Sequence, residues 1–187
     1  LYDALKPRAG MAFVERDNPD LMDMSAGLER HLYGTHSDAL TCGGVVRAFP
    51  ALSFVWRAQS IQTQVFGGFQ LPNFLAAVAI GVQAQVSDAQ IQSALEQYRP
   101  TNNRSEHVTY RGLSVVLDAY NANPSSVAAM LDAFAQVAED KLIILADMAE
   151  LGRHAESEHA AILAQLASIR ATKLLVGPIF SRLAVSM

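Results

Sequence analysis

Residues 118–126 read Asp-Ala-Tyr-Asn-Ala-Asn-Pro-Ser-Ser and join an apolar run to an amphipathic one. The apolar run at 113–117 is typical of a buried strand, and the apolar residues after the turn recur at the spacing of a one-sided helix. In α/β proteins, ligands bind at such turns, where strands reach their carboxyl ends. Asn123 suits the N-cap and Pro124 the first helical position. The remaining polar side chains of the turn are the candidates for chemistry: Asp118, Tyr120 and Asn121.

The composition excludes several classes of protein. With 187 residues, 51% of them apolar and 17% charged, the chain can build the core of one domain or two small ones. A net charge of −4 without a basic cluster argues against nucleic acid as a partner. The single cysteine, Cys42, excludes a disulfide framework and favours a reducing, cytoplasmic compartment. No apolar run has the length of a membrane span, so we expect none.

Strands and helices alternate with turn signals through the first hundred residues. The chain opens without a signal peptide, in what resembles a helix, and ends in a second incomplete helix, so we expect a segment of a longer protein. Gly-containing residues 41–44 interrupt the pattern. The predicted elements are strands at 11–15 and 31–34, a helix capped by Asn18-Pro19 with Leu21, Met24 and Leu28 on its apolar face, a hairpin of strands 52–57 and 61–66 linked by 58–60, and helices at 71–82 and 87–98.

Residues 99–104 form the best linker, which predicts domains at 1–100 and 101–187. Beyond the linker, strands and helices alternate, which favours an α/β fold with a parallel sheet and crossover helices. The predicted strands lie at 113–117, 142–145 and 173–176, and the predicted helices lie at 125–138 and 157–169.

Several polar residues have both a structural and a functional interpretation. Asp147 and Glu150 follow the second strand and would lie beside Asp118 if the two strands were neighbours, but a capping or loop role is favoured for Asp147. His154 and His159 are five residues apart and face different sides of a helix, which argues against a metal pair and leaves a domain-interface role open for His159.

Arg104 is either part of an ordinary polar linker or a clamp for a phosphate or carboxylate. Asn73 either hydrogen-bonds to the backbone or reads a base edge. None of the three lysines (Lys6, Lys141, Lys173) follows a glycine, so the chain contains no phosphate-binding loop of the Walker type.

Three stretches resemble the Mur ligase family. Residues 118–125, residues 145–152 (Leu-Ala-Asp-Met-Ala-Glu-Leu-Gly) and Glu158-His159 resemble its C-terminal domain, in the branch that adds D-alanyl-D-alanine. Segments of the family's central domain are resembled by residues 67–77 and 13–19. Phe69 and Glu15 stand where those segments usually have His and Asn. In the C-terminal stretch, Ala146 stands where the family commonly has Gly. The resemblance implies that residues 1–100 are the end of a central ATPase domain, with a mixed sheet, hairpin and helices. It implies that residues 101–187 are a Rossmann-like, parallel-sheet C-terminal domain, here truncated.

The resemblance also implies an activity. A member of this family would use ATP and Mg²⁺ to add D-Ala-D-Ala to UDP-MurNAc-tripeptide through an acyl phosphate, as a cytoplasmic monomer in peptidoglycan precursor synthesis. The phosphate loop, the magnesium ligands, a modified lysine and the catalytic residues are then expected before Leu1, so the chain alone is expected to be inactive. Alternatives are a related ligase with another amine substrate, such as a folylpolyglutamate-type enzyme, or a non-catalytic nucleotide-binding module.

The family's site residues carry over by position. The resemblance implies that Asn73 lies near adenine, with Gln70 in the family's first amide position. It implies that Arg104 reaches the nucleotide phosphates and that Asp118 holds the ribose hydroxyls. The remaining turn residues are implied to contact the nucleotide or the incoming dipeptide: Tyr120, Asn121 and Asn123.

Overall fold

The chain divides into two units, residues 1–100 and residues 101–187. The computed structural model describes residue 2, residues 10–100 and residues 103–185. No helix in the described part of the chain combines the length and the apolar character that crossing a membrane requires.

The first unit contains a mixed five-stranded sheet. The strands follow chain order: β1 (Ala12–Glu15), β2 (Arg30–Gly34), β3 (Thr41–Arg47), β4 (Ser53–Trp56) and β5 (Gln59–Gln62). The first three pair in parallel, and β3, β4 and β5 pair antiparallel.

The prediction that residues 41–44 break the pattern is wrong, because they form the first half of β3. A Cβ on Gly43 would lie 2.7 Å from Leu75 Cδ2 and 2.8 Å from the Val55 carbonyl oxygen. Glycine at this position therefore permits close packing within the strand instead of ending it.

The predicted hairpin is present with a tighter turn than expected. Arg57 (φ 47°) and Ala58 (φ 62°) form a two-residue turn, so Gln59 belongs to β5 and not to the link. Positive φ at both turn residues matches the twist of the flanking strands. β5 ends at Gln62, before the predicted end at residue 66, and Thr63 donates both its N–H and its hydroxyl proton to the Leu52 carbonyl oxygen.

In the described part of the first unit, three α-helices accompany the sheet: α1 (Pro19–Met24), α2 (Leu71–Gln83) and α3 (Asp88–Gln97). Asn18 caps α1 as predicted, since its Oδ1 accepts the Leu21 N–H at 3.1 Å. The predicted apolar face of α1 is wrong: the helix ends before Leu28, and Met24 is 58% exposed. The core lies where α2 and α3 pack on the sheet, around Leu52, Phe54, Trp56, Ile61, Leu71, Phe74, Leu75, Val78 and Ile91.

Within its described residues, the second unit combines two strand pairs with three α-helices. An antiparallel pair, β6 (Glu106–Tyr110) and β7 (Leu113–Leu117), is joined at Arg111-Gly112, where both φ angles are positive. A parallel pair, β8 (Leu142–Ala146) and β9 (Thr172–Val176), is connected through α5 (Ala155–Ala167). α4 (Pro124–Ala135) follows β7, and α6 (Pro178–Val185) follows β9. The predicted α/β class with a parallel sheet in this part of the chain is confirmed by β8 and β9. The predicted strand 113–117 pairs instead antiparallel with β6, which was not predicted.

The end of α4 is closed by a lysine. Lys141 Nζ donates to the carbonyl oxygens of Phe134 (3.2 Å), Ala135 (2.9 Å) and Val137 (2.7 Å). The last carbonyls of a helix have no partner within the helix, and a cation is favourable there. The core of this unit packs α4, α5 and α6 against β8 through Leu131, Ile143, Met148, Ile162, Leu163, Leu166, Ile169 and Phe180.

Candidate functional site

The turn after β7 is fastened to the segment that precedes β6. Asp118 directly follows β7, and its Oδ1 accepts the Ser105 N–H at 2.8 Å, with the Ser105 hydroxyl at 3.4 Å. The Ala119 N–H donates to the Asn103 carbonyl oxygen at 2.9 Å. Ser105 is buried, whereas Asp118 is exposed. Both ends of the 103–105 segment are therefore hydrogen-bonded to the residues that follow β7, and the residue between them is held beside the carboxyl end of that strand.

The residue between them is Arg104, and its side chain contacts Tyr120. Its guanidinium carbon lies 3.9 Å from the centroid of the Tyr120 ring, and both side chains are on the surface. Asn103 and Ser105, on either side, have positive φ angles of 55° and 49°. The structure therefore brings Arg104, Asp118 and Tyr120 together at the carboxyl end of β7.

Asn123 belongs to the helix start. Its Oδ1 accepts the Ser126 N–H at 2.9 Å and the Ser125 hydroxyl at 2.8 Å. The Ser126 hydroxyl in turn accepts the Asn123 N–H at 3.2 Å, which completes a capping box. Asn121 is exposed in the same turn.

A cavity of about 130 Å³ lies beside Asp118, between β7, β8 and α4. Its other lining residues are apolar, and they include Val116, Met130 and Ile144. Asp118 is therefore its only charged lining residue within the described part of the chain, and a phosphate would find no cation inside it.

Gln70 and Asn73 lie side by side at the start of α2, in the first unit. The Asn73 amide donates to Gln70 Oε1 at 2.8 Å. Asn73 is exposed, so burial does not dictate its hydrogen bond. The two amides form one surface, which offers donors and acceptors in a fixed pair.

Asp147 has the capping role that the sequence favoured. Its carboxylate accepts the N–H groups of Ile179 (2.8 Å) and Phe180 (2.9 Å) at the start of α6. A Cβ on Gly177, whose φ is 118°, would lie 2.4–2.8 Å from that carboxylate. The glycine thus leaves room for the carboxylate.

His159 is a core residue. It is fully buried, its Nε2 accepts the Met148 N–H at 2.9 Å, and its Nδ1 donates to the Ala155 carbonyl oxygen at 2.6 Å. The Ala155 bond places a ring proton on Nδ1, because a carbonyl oxygen can only accept. Among the described residues, no group of three His, Cys, Asp or Glu side chains could hold a metal ion.

Asp17 was given no role from the sequence, but it connects the end of β1 to the residues that follow β2. Its carboxylate accepts the N–H groups of Thr35 at 2.6 Å and His36 at 3.3 Å. Burial would raise the pKa of Asp17, but these hydrogen bonds outweigh it and hold the pKa below the usual value. Burial, together with the charge of Asp17, raises the pKa of Glu15. The position of Asp17 just after the predicted strand could have indicated this role.

Known proteins share both the sequence and the fold. Residues 103–180 match the family described as "Mur ligase, glutamate ligase domain". The chain is 35% identical over 131 residues to the UDP-N-acetylmuramoyl-tripeptide–D-alanyl-D-alanine ligase of Treponema pallidum, which covers 68% of this chain and 28% of the relative. The chain therefore spans under a third of that relative's length.

Solved structures agree with this match. MurF from Acinetobacter baumannii superposes with a TM-score of 0.79 at 21% identity, covering 92% of this chain and 40% of that one. MurF from Thermotoga maritima in complex with ADP superposes with a TM-score of 0.76 at 18% identity, covering 92% and 42%. These superpositions show a shared fold. The sequence matches confirm the resemblance noted in the sequence, and the chain belongs to the Mur ligase family.

Proposed function

We propose that the protein containing this chain is an ATP-dependent ligase that adds D-alanyl-D-alanine to UDP-MurNAc-tripeptide. The name of the Treponema pallidum relative supports this substrate pair. The observation that carries the proposal is the cluster of Arg104, Asp118 and Tyr120 at the carboxyl end of β7, inside the matched domain. Residues 1–100 would then be the end of the central domain, and residues 101–187 would belong to the C-terminal domain.

The cluster has the chemistry of half a nucleotide site. Arg104 presents a permanent cation whose planar donors suit phosphate oxygens. The described contacts of Asp118 use Oδ1, so Oδ2 is available to accept hydroxyl protons of a ribose. We assign Tyr120 and Asn121 to the surface facing the bound substrates, with Asn123 mainly at the helix start. The ADP bound to the Thermotoga maritima relative supports a nucleotide as the ligand.

The first unit would supply the base contact. The paired amides of Gln70 and Asn73 can donate to and accept from the edge of an adenine. When bound, ATP supplies the phosphoryl group that activates the peptide carboxylate for attack by the amine of the dipeptide. The residues of this chain orient the nucleotide, and such positioning accounts for much of the catalysis of phosphoryl transfer. Mg²⁺ would accompany ATP, with ligands outside this chain.

Amine-dependent phosphate release by the full-length protein tests the proposal. Phosphate should appear only when ATP, Mg²⁺, UDP-MurNAc-tripeptide and D-Ala-D-Ala are all present, and mass spectrometry should find the tripeptide extended by the dipeptide. Turnover with another amine in place of D-Ala-D-Ala would favour a related ligase. Nucleotide binding without turnover on any amine would instead favour a non-catalytic module.

Substitutions in the cluster should raise KM for ATP. Asp118→Asn keeps an oxygen that can accept from Ser105 but loses the charge, so we expect KM for ATP to rise about tenfold, the worth of one charge-assisted hydrogen bond. Arg111→Ala, in the β6–β7 turn, is the matched control and should leave KM unchanged. An unchanged KM for Asp118→Asn would contradict the ribose assignment.

A further inference from the structure

We propose that Tyr120 is a positioning residue, whose ring holds the guanidinium of Arg104 in place for the phosphates of the nucleotide. The inference rests on the proposed function, since it takes the phosphates as the target of Arg104. It assigns the Tyr120 ring to the arginine, and the ring needs no ligand contact of its own to do this work.

Backbone hydrogen bonds and one ring contact hold Arg104 in place. Its backbone is fixed, because the amide of Ser105 bonds to Asp118 and the carbonyl of Asn103 bonds to Ala119. The arginine side chain still has several rotatable bonds beyond that point. The ring of Tyr120, 3.9 Å from the guanidinium carbon, is the described contact that restricts the charged end.

The partner of the Arg104 guanidinium is an aromatic ring. Arg16, Arg57 and Arg182 all form ion pairs with carboxylates, which occupy some of their donors, and Arg57 also lies over the Trp56 ring at 4.9 Å. The contact of Arg104 is with the face of a ring. A ring face attracts the cation while leaving the in-plane N–H donors available to phosphate oxygens. Tyr120 therefore fixes the direction of the guanidinium without occupying it.

A second arginine–tyrosine pair in the same unit gives a matched control. Arg111 lies over Tyr110 at 5.3 Å, and Tyr110 and Tyr120 are 59% and 58% exposed. Arg111 and Tyr110 are adjacent in sequence, however, whereas Arg104 and Tyr120 come from opposite ends of the β6–β7 hairpin. Equal exposure means that truncating either ring changes the surface by a similar amount.

The experiment combines kinetics and nuclear magnetic resonance on the full-length protein. Tyr120→Leu should raise KM for ATP about two- to fivefold, as expected for an exposed cation–π contact, with kcat changed less than twofold. Arginine labelled with ¹³C should show the Arg104 side-chain protons shifted upfield by the ring, and the shift should vanish in Tyr120→Leu. Tyr120→Phe, which keeps a ring, should retain both the KM and the shift, as should Tyr110→Leu.

A double-mutant cycle tests the positioning role of Tyr120 separately from the phosphate contact of Arg104. In an Arg104→Ala background, Tyr120→Leu should have no further effect on KM, because the ring acts only through the arginine. Additive effects, or a Tyr120→Phe variant as impaired as Tyr120→Leu, would overturn the positioning role and assign the phenol to the ligand directly. If Arg104→Ala leaves KM unchanged while the ring shift is present in the parent protein, the proposed phosphate contact of Arg104 is wrong.

Discussion

Two carboxylates, Asp17 and Asp147, have the same function in the two units. Each follows a strand and accepts two backbone N–H groups from the residues after the neighbouring parallel strand. In both cases a glycine, Gly34 or Gly177, leaves room for the carboxylate. Acidic residues at the carboxyl edge of a sheet suggest a metal or nucleotide site, but here the backbone occupies both of them.

Gly177→Ala should destabilise the second unit. The new Cβ would lie 2.4 Å from the Asp147 carboxyl carbon, at a φ of 118° that side chains rarely adopt. Displacing the carboxylate would also leave two amides at the start of α6 without their acceptor. We expect a loss of about 3 kcal/mol in the free energy of unfolding, measured by denaturant titration with far-UV circular dichroism.

Gly112→Ala is the control for backbone strain alone. Its φ is 80°, and nothing lies within 4 Å of the added Cβ. The loss should be about 1 kcal/mol. Equal losses at the two glycines would show that Asp147 moves aside without penalty.

His31 makes the first unit sensitive to pH. The ring is buried, lies 2.8 Å from the Thr41 hydroxyl and stacks on Phe13. Burial lowers the pKa of His31 below its usual value, and the Gln83 side chain opposes this shift in part. Below about pH 6.5 the unfolded chain therefore binds a proton that the folded unit does not bind, and stability falls as the pH falls through that window.

The fluorescence of Trp56 measures this effect. It is the single tryptophan and is buried in the core of the first unit. His31→Gln should remove part of the loss in unfolding free energy between pH 7 and pH 5.5. If His31→Gln leaves this loss unchanged, the buried ring is not its source.

At the scale of single elements, Asn123 caps α4, and its variants can distinguish this structural role from a contact with a substrate. Asn123→Ala should lower the free energy of unfolding of the second unit by about 1 kcal/mol, because the Ser126 N–H loses its acceptor. Asn123→Asp keeps that acceptor and should restore stability, as measured by circular dichroism in denaturant. If Asn123→Asp restores stability but not ligase activity, the amide itself contacts a substrate.

Helices were easier to predict than strands in this chain. Apolar periodicity and capping residues indicated α2, α3 and α4 within a few residues of their observed bounds. β3 was missed because Gly43 resembles a break until its close packing on Leu75 is seen. β6 was missed because its residues are mostly polar and follow directly from the linker.

At the scale of the whole molecule, the candidate site depends on contacts that no local pattern predicts. The resemblance indicated Arg104 and Asp118 separately. Their meeting requires β6 and β7 to pair, and it requires left-handed backbone at Asn103 and Ser105. Sequence could therefore name the residues of the cluster but not the cation–π contact that joins two of them.

The core of the first unit depends on α2. Leu75 is fully buried against the sheet and lies beside Gly43. Leu75→Ala should lower the free energy of unfolding by about 2–5 kcal/mol, the usual range for such a cavity. Trp56 fluorescence in denaturant would report it. Leu40→Ala, at a side chain that is 70% exposed, should change it by less than about 0.5 kcal/mol.

Lys141 has a consequence for chemical labelling. The Lys141 ammonium group donates to three carbonyl oxygens, so it must leave them before it can react with an electrophile. Lys173 is exposed on β9 and provides an internal reference. With an amine-reactive reagent, Lys173 should be modified faster than Lys141, which reacts only while its side chain is released from the end of α4. Mass spectrometry of the Lys141 peptide would thus follow this release over time, without a mutation or an added probe.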